Sequence, residues 1–163
     1  MNELYQCAAN WISNLNIKKA LDLYCGVGGF TFSLAPFVEE IIGIEISAQA
    51  IASANKTLAN GKNKNISFQV CDLENSTQYL NNQIDLVLIN PPRRGIDQKL
   101  VTNILDKKPK YLLYSSCNAE TLEKNLAQLK VSYEIVQMHP FDMFAYSEHW
   151  EILTLLKRLD FDE

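Results

Sequence analysis

The sequence predicts an α/β fold in which a seven-stranded, mostly parallel sheet is flanked by helices and ends in an antiparallel hairpin. Strand-like apolar runs alternate with helical patterns along most of the chain, and the last two runs have no helical pattern between them. Strands separated by helices pair in parallel through crossovers, whereas strands joined by a loop pair antiparallel. The 163 residues, 47% hydrophobic and 21% charged, suit a single domain spanning residues 1–163.

The first half of the chain supplies the leading helix and three strands. Residues 3–15 form the predicted leading helix. The apolar runs KALDLY at 19–24 and EIIGIEI at 40–46 have the length of strands, and a glycine-rich turn follows the first. An alanine-rich helical pattern at 47–59 separates the second strand from the third at 66–70. These segments predict two parallel crossovers.

The second half continues the alternation and then breaks it. The run IDLVLI at 84–89 is the most apolar and predicts the fourth strand, followed by a helix at 98–106. The fifth strand is predicted at 111–114 and its helix at 120–130. The last two strands are predicted at 132–138 and 150–156. A loop joins them, so they form the hairpin at the edge.

Composition excludes several classes of protein. A formal net charge of −4 argues against strong, nonspecific binding of nucleic acid by this chain alone. The cysteines are scattered and lack ligand spacing, so we expect free thiols and no metal site: Cys7, Cys25, Cys71 and Cys117. No apolar run of about 18 residues and no signal pattern occurs, so a cytoplasmic location is expected.

The turn after the first strand, DLYCGVGGF, indicates a nucleotide-like ligand. Asp22 lies in the strand, and Gly26, Gly28 and Gly29 lie in the turn, where the backbone can approach a ligand. The dinucleotide fingerprint requires a further glycine where this chain has Thr31. The pattern therefore favours S-adenosylmethionine over a dinucleotide.

Two acidic residues at later strand ends extend this prediction. Ligands of open α/β sheets bind beyond the carboxyl ends of the strands. Glu45, at the end of the second strand, can accept hydrogen bonds from both ribose hydroxyls. Asp72, after the third strand, can face the adenine amino group. An aspartate that caps a turn or a helix is an equally good interpretation of Asp72.

The segment INPPRRG follows the fourth strand. Asn90, Pro91 and Pro92 predict a rigid shelf beside the cofactor, because proline restricts the backbone. Asn-Pro-Pro followed by an aromatic residue is typical of enzymes that methylate amino groups, but here Arg93 and Arg94 follow. The arginine pair can bind phosphate or form an ordinary solvated loop.

The segment YSSCNAET places Cys117 where the fifth strand ends. Asn118 is a good N-cap, so the next helix directs its N-terminus at the cysteine and favours the thiolate. The alternative is a buried, inert cysteine. A thiolate that adds to carbon 6 of uracil makes carbon 5 nucleophilic toward a methyl donor. Cys117 is predicted at the same sheet edge as the glycine-rich turn and the Asn-Pro-Pro shelf, and this position favours it as a nucleophile.

Such an adduct needs a general base to remove the proton from carbon 5. Glu151 lies at the start of the last predicted strand, and His149 lies two residues earlier, on the same side if the segment is extended. We predict Glu151 as the base. The alternative for Glu151 is a solvated carboxylate at the rim of the hairpin.

Together these motifs resemble the RNA uridine-5-methyltransferases, and above all the bacterial branch that methylates 23S ribosomal RNA. The resemblance rests on DLYCGVGGF, GIEIS, NPPRRG, YSSCNAET and DMFAYSEHWEILTLLKR. It implies the Rossmann-like fold of class I S-adenosylmethionine-dependent methyltransferases and an RNA substrate. It also implies that Cys117 is the nucleophile, that Glu151 is the base, and that Tyr24, Glu45 and Asn90 contact S-adenosylmethionine.

The sequence also departs from that family. Ala145, Tyr146 and Ser147 stand where relatives usually have Pro-His-Thr, in the loop that presents His149 and Glu151. Family enzymes carry an N-terminal RNA-binding portion, many with an iron–sulfur cluster, and a cofactor-binding glutamine; none is found here. The resemblance therefore implies the C-terminal catalytic domain. An amino-group methyltransferase using Asn90 and a non-catalytic cofactor-binding domain remain as alternatives.

Overall fold

Seven strands form one sheet in the computed structural model, which describes residues 2–72, 78–142 and 150–159. The strands are β1 (Ile17–Leu23), β2 (Val38–Glu45), β3 (Ile66–Val70), β4 (Leu86–Ile89), β5 (Tyr111–Ser116), β6 (Tyr133–Asp142) and β7 (Trp150–Arg158). The helices are α1 (Asn2–Ile12), α2 (Gly29–Leu34), α3 (Ala48–Ala59), α4 (Gln98–Lys107) and α5 (Ala119–Leu129), with a short 3-10 helix at Ala35–Phe37.

The strand order is β3-β2-β1-β4-β5-β7-β6. Strands β1 to β5 pair in parallel, whereas β7 pairs antiparallel with both β5 and β6. The predicted parallel sheet with an antiparallel terminal hairpin is confirmed. The order reverses between β1 and β4, and at such a switch point the loops diverge and leave a crevice at the carboxyl ends of the strands.

Helices cover both faces of the sheet. Apolar residues of α1, α2 and α3 pack with one face, including Leu4, Phe30 and Ile51. Residues of α4 and α5, such as Leu100 and Leu126, pack with the other. Within the three described ranges, no helix is long and apolar enough to cross a membrane.

Element boundaries differ from the prediction where tertiary contacts set them. Helix α1 ends at Ile12 instead of residue 15, and β6 extends to Asp142 because β7 pairs with it along its whole length. Helix α2 was not predicted. Its sequence begins with glycine and is rich in residues of modest helix propensity, but Phe30 and Leu34 are buried in the core. Packing, rather than propensity, stabilises this helix.

Replacing Gly43 in β2 by alanine is expected to lower the free energy of unfolding by about 1–3 kcal/mol. An added Cβ would lie 2.6 Å from the ring of Phe68 and 2.9 Å from the sulfur of Cys25, so the core would be overpacked. Urea denaturation measures the loss. Gly61→Ala is the control, because its nearest neighbour would be 3.4 Å away. Equal stability of both variants would contradict this packing.

Candidate active site at the carboxyl edge of the sheet

An open cavity of about 440 Å³ lies at the carboxyl ends of the parallel strands. Four of the six predicted cofactor-binding residues line it: Tyr24, Glu45, Asp72 and Asn90. The remaining wall is formed by Ile46, Pro91, Pro92, Arg94 and Asp97. The topology therefore gathers residues from four strand ends into one site.

The glycine-rich loop forms the start of this site. Gly26 and Gly28 adopt positive φ angles of 55° and 89°, which glycine tolerates at little cost. The amide of Gly28 donates to the carbonyl of Cys25 at 2.8 Å and closes the turn. Tyr24, on the cavity wall, also has a positive φ of 62°, which is rare for a non-glycine residue and typical of functional sites.

Glu45 ties the second strand to the glycine-rich loop. Its Oε2 accepts a hydrogen bond from the Gly26 amide at 3.2 Å, and its Oε1 accepts one from the Ser47 amide at 2.9 Å. These contacts orient the carboxylate at the cavity wall. Each carboxylate oxygen can accept more than one hydrogen bond, so the group can still accept from a diol.

Asp22 is an acidic residue of this region that was not predicted to bind the cofactor. It is 1% exposed, and its Oδ2 accepts a hydrogen bond from the Thr31 hydroxyl at 2.5 Å, while Oδ1 is buried without a partner. Burial raises the pKa of Asp22 to about 7, although the hydrogen bonds from Thr31 lower it in part. The signal in the sequence was one acidic residue within an apolar strand. An unpartnered buried oxygen suits a cationic ligand group.

The Asn-Pro-Pro loop is held by the helix that follows Cys117. The carbonyl of Arg93 accepts hydrogen bonds from the Asn118 side chain at 3.2 Å and the Thr121 hydroxyl at 3.1 Å. Further along α5, the buried Asn125 side chain bonds both the amide and the carbonyl of Ile96. The shelf beside the cavity and the turn that carries the cysteine are therefore one connected unit.

Cys117 lies directly after β5 and is half-buried. The predicted N-cap is confirmed, because Asn118 Oδ1 accepts from the amides of Glu120 at 3.0 Å and Thr121 at 3.3 Å. The cysteine thus precedes the N-terminus of α5. Cys117 is not among the residues that line the cavity, but its neighbour Asn118 bonds Arg93, which directly follows the shelf.

Glu151 approaches the cysteine through the antiparallel pairing of β5 and β7. Ser116 pairs with Ile152, so Cys117 and Glu151 are the next residues along the two chains at the sheet edge. The Ser115 hydroxyl donates to Glu151 Oε1 at 2.5 Å. Burial raises the pKa of Glu151 above its usual value, and the hydrogen bond from Ser115 opposes this shift. A half-buried carboxylate with a raised pKa is suited to accepting a proton.

Tyr5 of α1 was also not predicted, since nothing in the sequence distinguishes it from other helical residues. Its hydroxyl lies against Gly29, where an added Cβ would be 2.4 Å away. Burial raises the pKa of Tyr5, and the negative charges of Asp22 and Glu151 raise it further. Helix α1 therefore places a hydroxyl close enough to both carboxylates to be affected by their charge.

Some of the predicted features fall outside the described residues. These are His149 and residues 145–147, where the sequence differs from the Pro-His-Thr usual in the family. In the part of the chain that the structure does describe, no group of three His, Cys, Asp or Glu residues is placed to hold a metal ion, and all four cysteines are free thiols.

Comparison with known proteins connects this geometry to one family. The family model described as tRNA (Uracil-5-)-methyltransferase matches residues 4–159. A 23S rRNA (uracil(747)-C(5))-methyltransferase, RlmC, of Pectobacterium carotovorum subsp. carotovorum is 44% identical over 158 residues, covering 95% of this chain and 41% of the relative. Its counterpart in Vibrio vulnificus is 40% identical over 156 residues, covering 96% and 41%. The chain thus spans about two fifths of these relatives' length.

Solved structures share the fold. The tRNA (uracil-54, C5)-methyltransferase of Pyrococcus abyssi, in complex with S-adenosyl-L-homocysteine, superposes with a TM-score of 0.79 at 27% identity, over 94% of this chain and 37% of that one. The N-methyltransferase NodS of Bradyrhizobium japonicum gives a TM-score of 0.74 at 17% identity, over 96% and 95%, which shows the fold alone. The predicted class I S-adenosylmethionine-dependent methyltransferase fold is confirmed.

Proposed function

Because this chain belongs to the tRNA (uracil-5-)-methyltransferase family, we propose that it transfers a methyl group from S-adenosylmethionine to carbon 5 of a uridine in RNA. The observation that carries the proposal is the strand register, which sets Cys117 opposite Glu151 at the end of β5, while Asn118 is hydrogen-bonded to the loop whose residues Pro92 and Arg94 line the cavity. A nucleophile and a base at one edge are what this reaction requires. The names of the Pectobacterium and Vibrio relatives support 23S ribosomal RNA as the substrate.

The residues around the cavity fit the methyl donor. Glu45 would accept the ribose hydroxyls, and Asp72 and Asn90 would contact the adenosine. Asp22 is buried and does not line the cavity, but its unpartnered Oδ1 would attract the cationic amino group. When bound, S-adenosylmethionine supplies an electrophilic methyl group. The glycine-rich loop lets the backbone approach the ligand closely.

Cys117 performs the first chemical step. Its thiolate adds to carbon 6 of the uracil ring: the sulfur–carbon bond forms, and the electron pair of the C5=C6 bond moves to oxygen 4 as an enolate. Carbon 5 thereby becomes nucleophilic enough to accept the methyl group. The α5 N-terminus beside Cys117 stabilises negative charge on the sulfur.

Glu151 performs the last step. Its carboxylate accepts the proton from carbon 5, the C5=C6 double bond re-forms, and the bond between carbon 6 and the Cys117 sulfur breaks. The thiolate is thus regenerated, and Glu151 passes the proton to solvent. The burial of Glu151 suits this role, because a raised pKa makes the carboxylate a better proton acceptor.

Methylation of an amino group is the second candidate. Asn90 lines the cavity together with Pro91 and Pro92, as that chemistry would need. It would make no use of Cys117 or Glu151. A non-catalytic domain would retain the cavity and bind the donor without turnover.

Mass spectrometry of the product separates the three candidates. The chain, in its whole-protein context, is incubated with S-adenosylmethionine and a uridine-containing RNA stem-loop, and the RNA is digested to nucleosides. The proposal predicts 5-methyluridine. A nucleoside methylated on an exocyclic amino group would favour the second candidate, and ligand binding without any methylated nucleoside would favour the third.

Glu45→Ala is expected to weaken the binding of S-adenosylhomocysteine at least about tenfold, because a hydrogen bond to a charged group contributes about 1.5–3 kcal/mol. The substitution also frees the Gly26 amide, which Glu45 holds at 3.2 Å. Isothermal titration calorimetry measures the affinity. Glu40→Ala is the matched control, because Glu40 lies at the other end of β2 and pairs with Lys19. Equal affinity in both variants would remove Glu45 from the site.

A further inference from the structure

Ser115 is a buried polar residue of β5. Its side chain is 1% exposed, and its neighbours Leu113 and Tyr114 on β5 are fully buried. The hydroxyl donates to Glu151 Oε1 at 2.5 Å. A buried hydroxyl needs a hydrogen-bond partner, and here the partner is the carboxylate that the proposed reaction uses as a base.

The direction of this contact follows from the strand pairing. Ser115 pairs with Leu153, and Glu151 lies two residues before Leu153 on β7. Residues two apart on a strand project from the same face, so Ser115 and Glu151 are diagonal neighbours on one face of the sheet. Ser116, one residue later, projects from the opposite face and bonds the backbone of Asn118.

The other groups near Glu151 do not replace this donor. Tyr5 of α1 lies near enough to feel the charge of Glu151, and the strand register places Cys117 opposite it just beyond the end of β5, but neither donates a hydrogen bond to Glu151 among the described contacts. On β6, Phe141 pairs with Glu151, and the nearest titratable residues are His139, two residues before Phe141, and Asp142, one residue after it. Among the described residues, no lysine or arginine forms a salt bridge with Glu151 within 4.0 Å.

We propose that Ser115 is a positioning residue for Glu151: its hydroxyl orients the carboxylate and stabilises the ionised form that accepts the proton from carbon 5. This inference rests on the proposed function. Oε1 is held by Ser115, which leaves Oε2 to take the proton. Ser115 itself neither gains nor loses a proton in the reaction.

The pH dependence of release provides the test. Burial already raises the pKa of Glu151, and the Ser115 hydrogen bond lowers it. Removing the hydroxyl in Ser115→Ala therefore raises the pKa of Glu151 further. At a pH below the midpoint of the wild-type Glu151 titration, a smaller fraction of the carboxylate is then ionised. Release of methylated RNA from the covalent adduct should slow on the order of tenfold below the wild-type midpoint. It should recover at high pH.

Three variants of the whole protein make the comparison specific. Ser115→Ala removes the hydroxyl, Ser115→Thr retains it, and Ser116→Ala removes a neighbouring buried hydroxyl that does not contact Glu151. We expect the release profile to move to higher pH only in Ser115→Ala. Carbon-13 NMR of labelled glutamate side chains measures the titration of Glu151 directly, without RNA.

The two readouts separate this inference from the proposed function. An unchanged Glu151 titration in Ser115→Ala overturns the inference. A rate loss of equal size at every pH also overturns it, because that pattern indicates a structural role. If the titration moves but release does not follow it, Ser115 is not a positioning residue for the reaction and Glu151 is not the base. Formation of 5-methyluridine would still uphold methyl transfer to carbon 5.

Discussion

Replacing Cys117 by alanine is expected to abolish RNA methylation and to leave the affinity for S-adenosylhomocysteine unchanged. Carbon 5 of uracil is a poor nucleophile until a thiolate adds to carbon 6, and alanine cannot form this bond. The cofactor should still bind, because Cys117 is not among the residues that line the cavity. The measurements are transfer of labelled methyl groups to RNA and calorimetry with S-adenosylhomocysteine.

Cys7→Ala is the matched control for this experiment. Cys7 is a half-buried free thiol in α1 and lies in a helix where alanine is well tolerated. This variant should methylate RNA at the wild-type rate. If Cys117→Ala also remained active, the covalent mechanism would be wrong, and methylation of an amino group near Asn90 would become the better proposal.

Glu151→Gln is expected to trap methylated RNA on the protein. The nucleophile acts before methyl transfer and the base acts after it, so removing the base should block only release. Glutamine keeps the shape of the side chain, and its amide oxygen can still accept the hydrogen bond from Ser115. It cannot take the proton from carbon 5, so the sulfur–carbon bond at Cys117 should persist. A denaturing gel should show a slow band that contains protein, RNA and labelled methyl.

Two controls accompany the trapping experiment. Glu134→Gln changes an exposed carboxylate at the far end of the same hairpin, where it pairs with Lys157, and should show normal turnover. Cys117→Ala combined with Glu151→Gln should show no slow band. Normal turnover in Glu151→Gln would leave Glu151 as a rim carboxylate. An inactive variant without any adduct would show that Glu151 acts earlier, for example in orienting the uracil.

Local patterns in the chain were sufficient to predict the sheet, its terminal hairpin and the residues at the strand ends. Buried parallel strands require short apolar runs, and glycine, proline and capping residues mark where those runs stop. Ser47 and Asn118 cap α3 and α5 because their side chains accept from amides two or three residues ahead, which is a local interaction. Glu45 and Cys117 could be placed at one edge of the sheet because each lies at or just after the carboxyl end of a predicted parallel strand.

Contacts between distant residues decided the rest. Helix α2 forms because Phe30 and Leu34 enter the core, and β6 extends to Asp142 because β7 lies beside it. Ser115 meets Glu151 across 36 residues, a contact that depends on the register of two strands and on the face from which each side chain projects. The unpartnered oxygen of Asp22 likewise depends on what surrounds it. Contacts of this kind form only when the strand order and register are established, because no local propensity encodes which strands become neighbours.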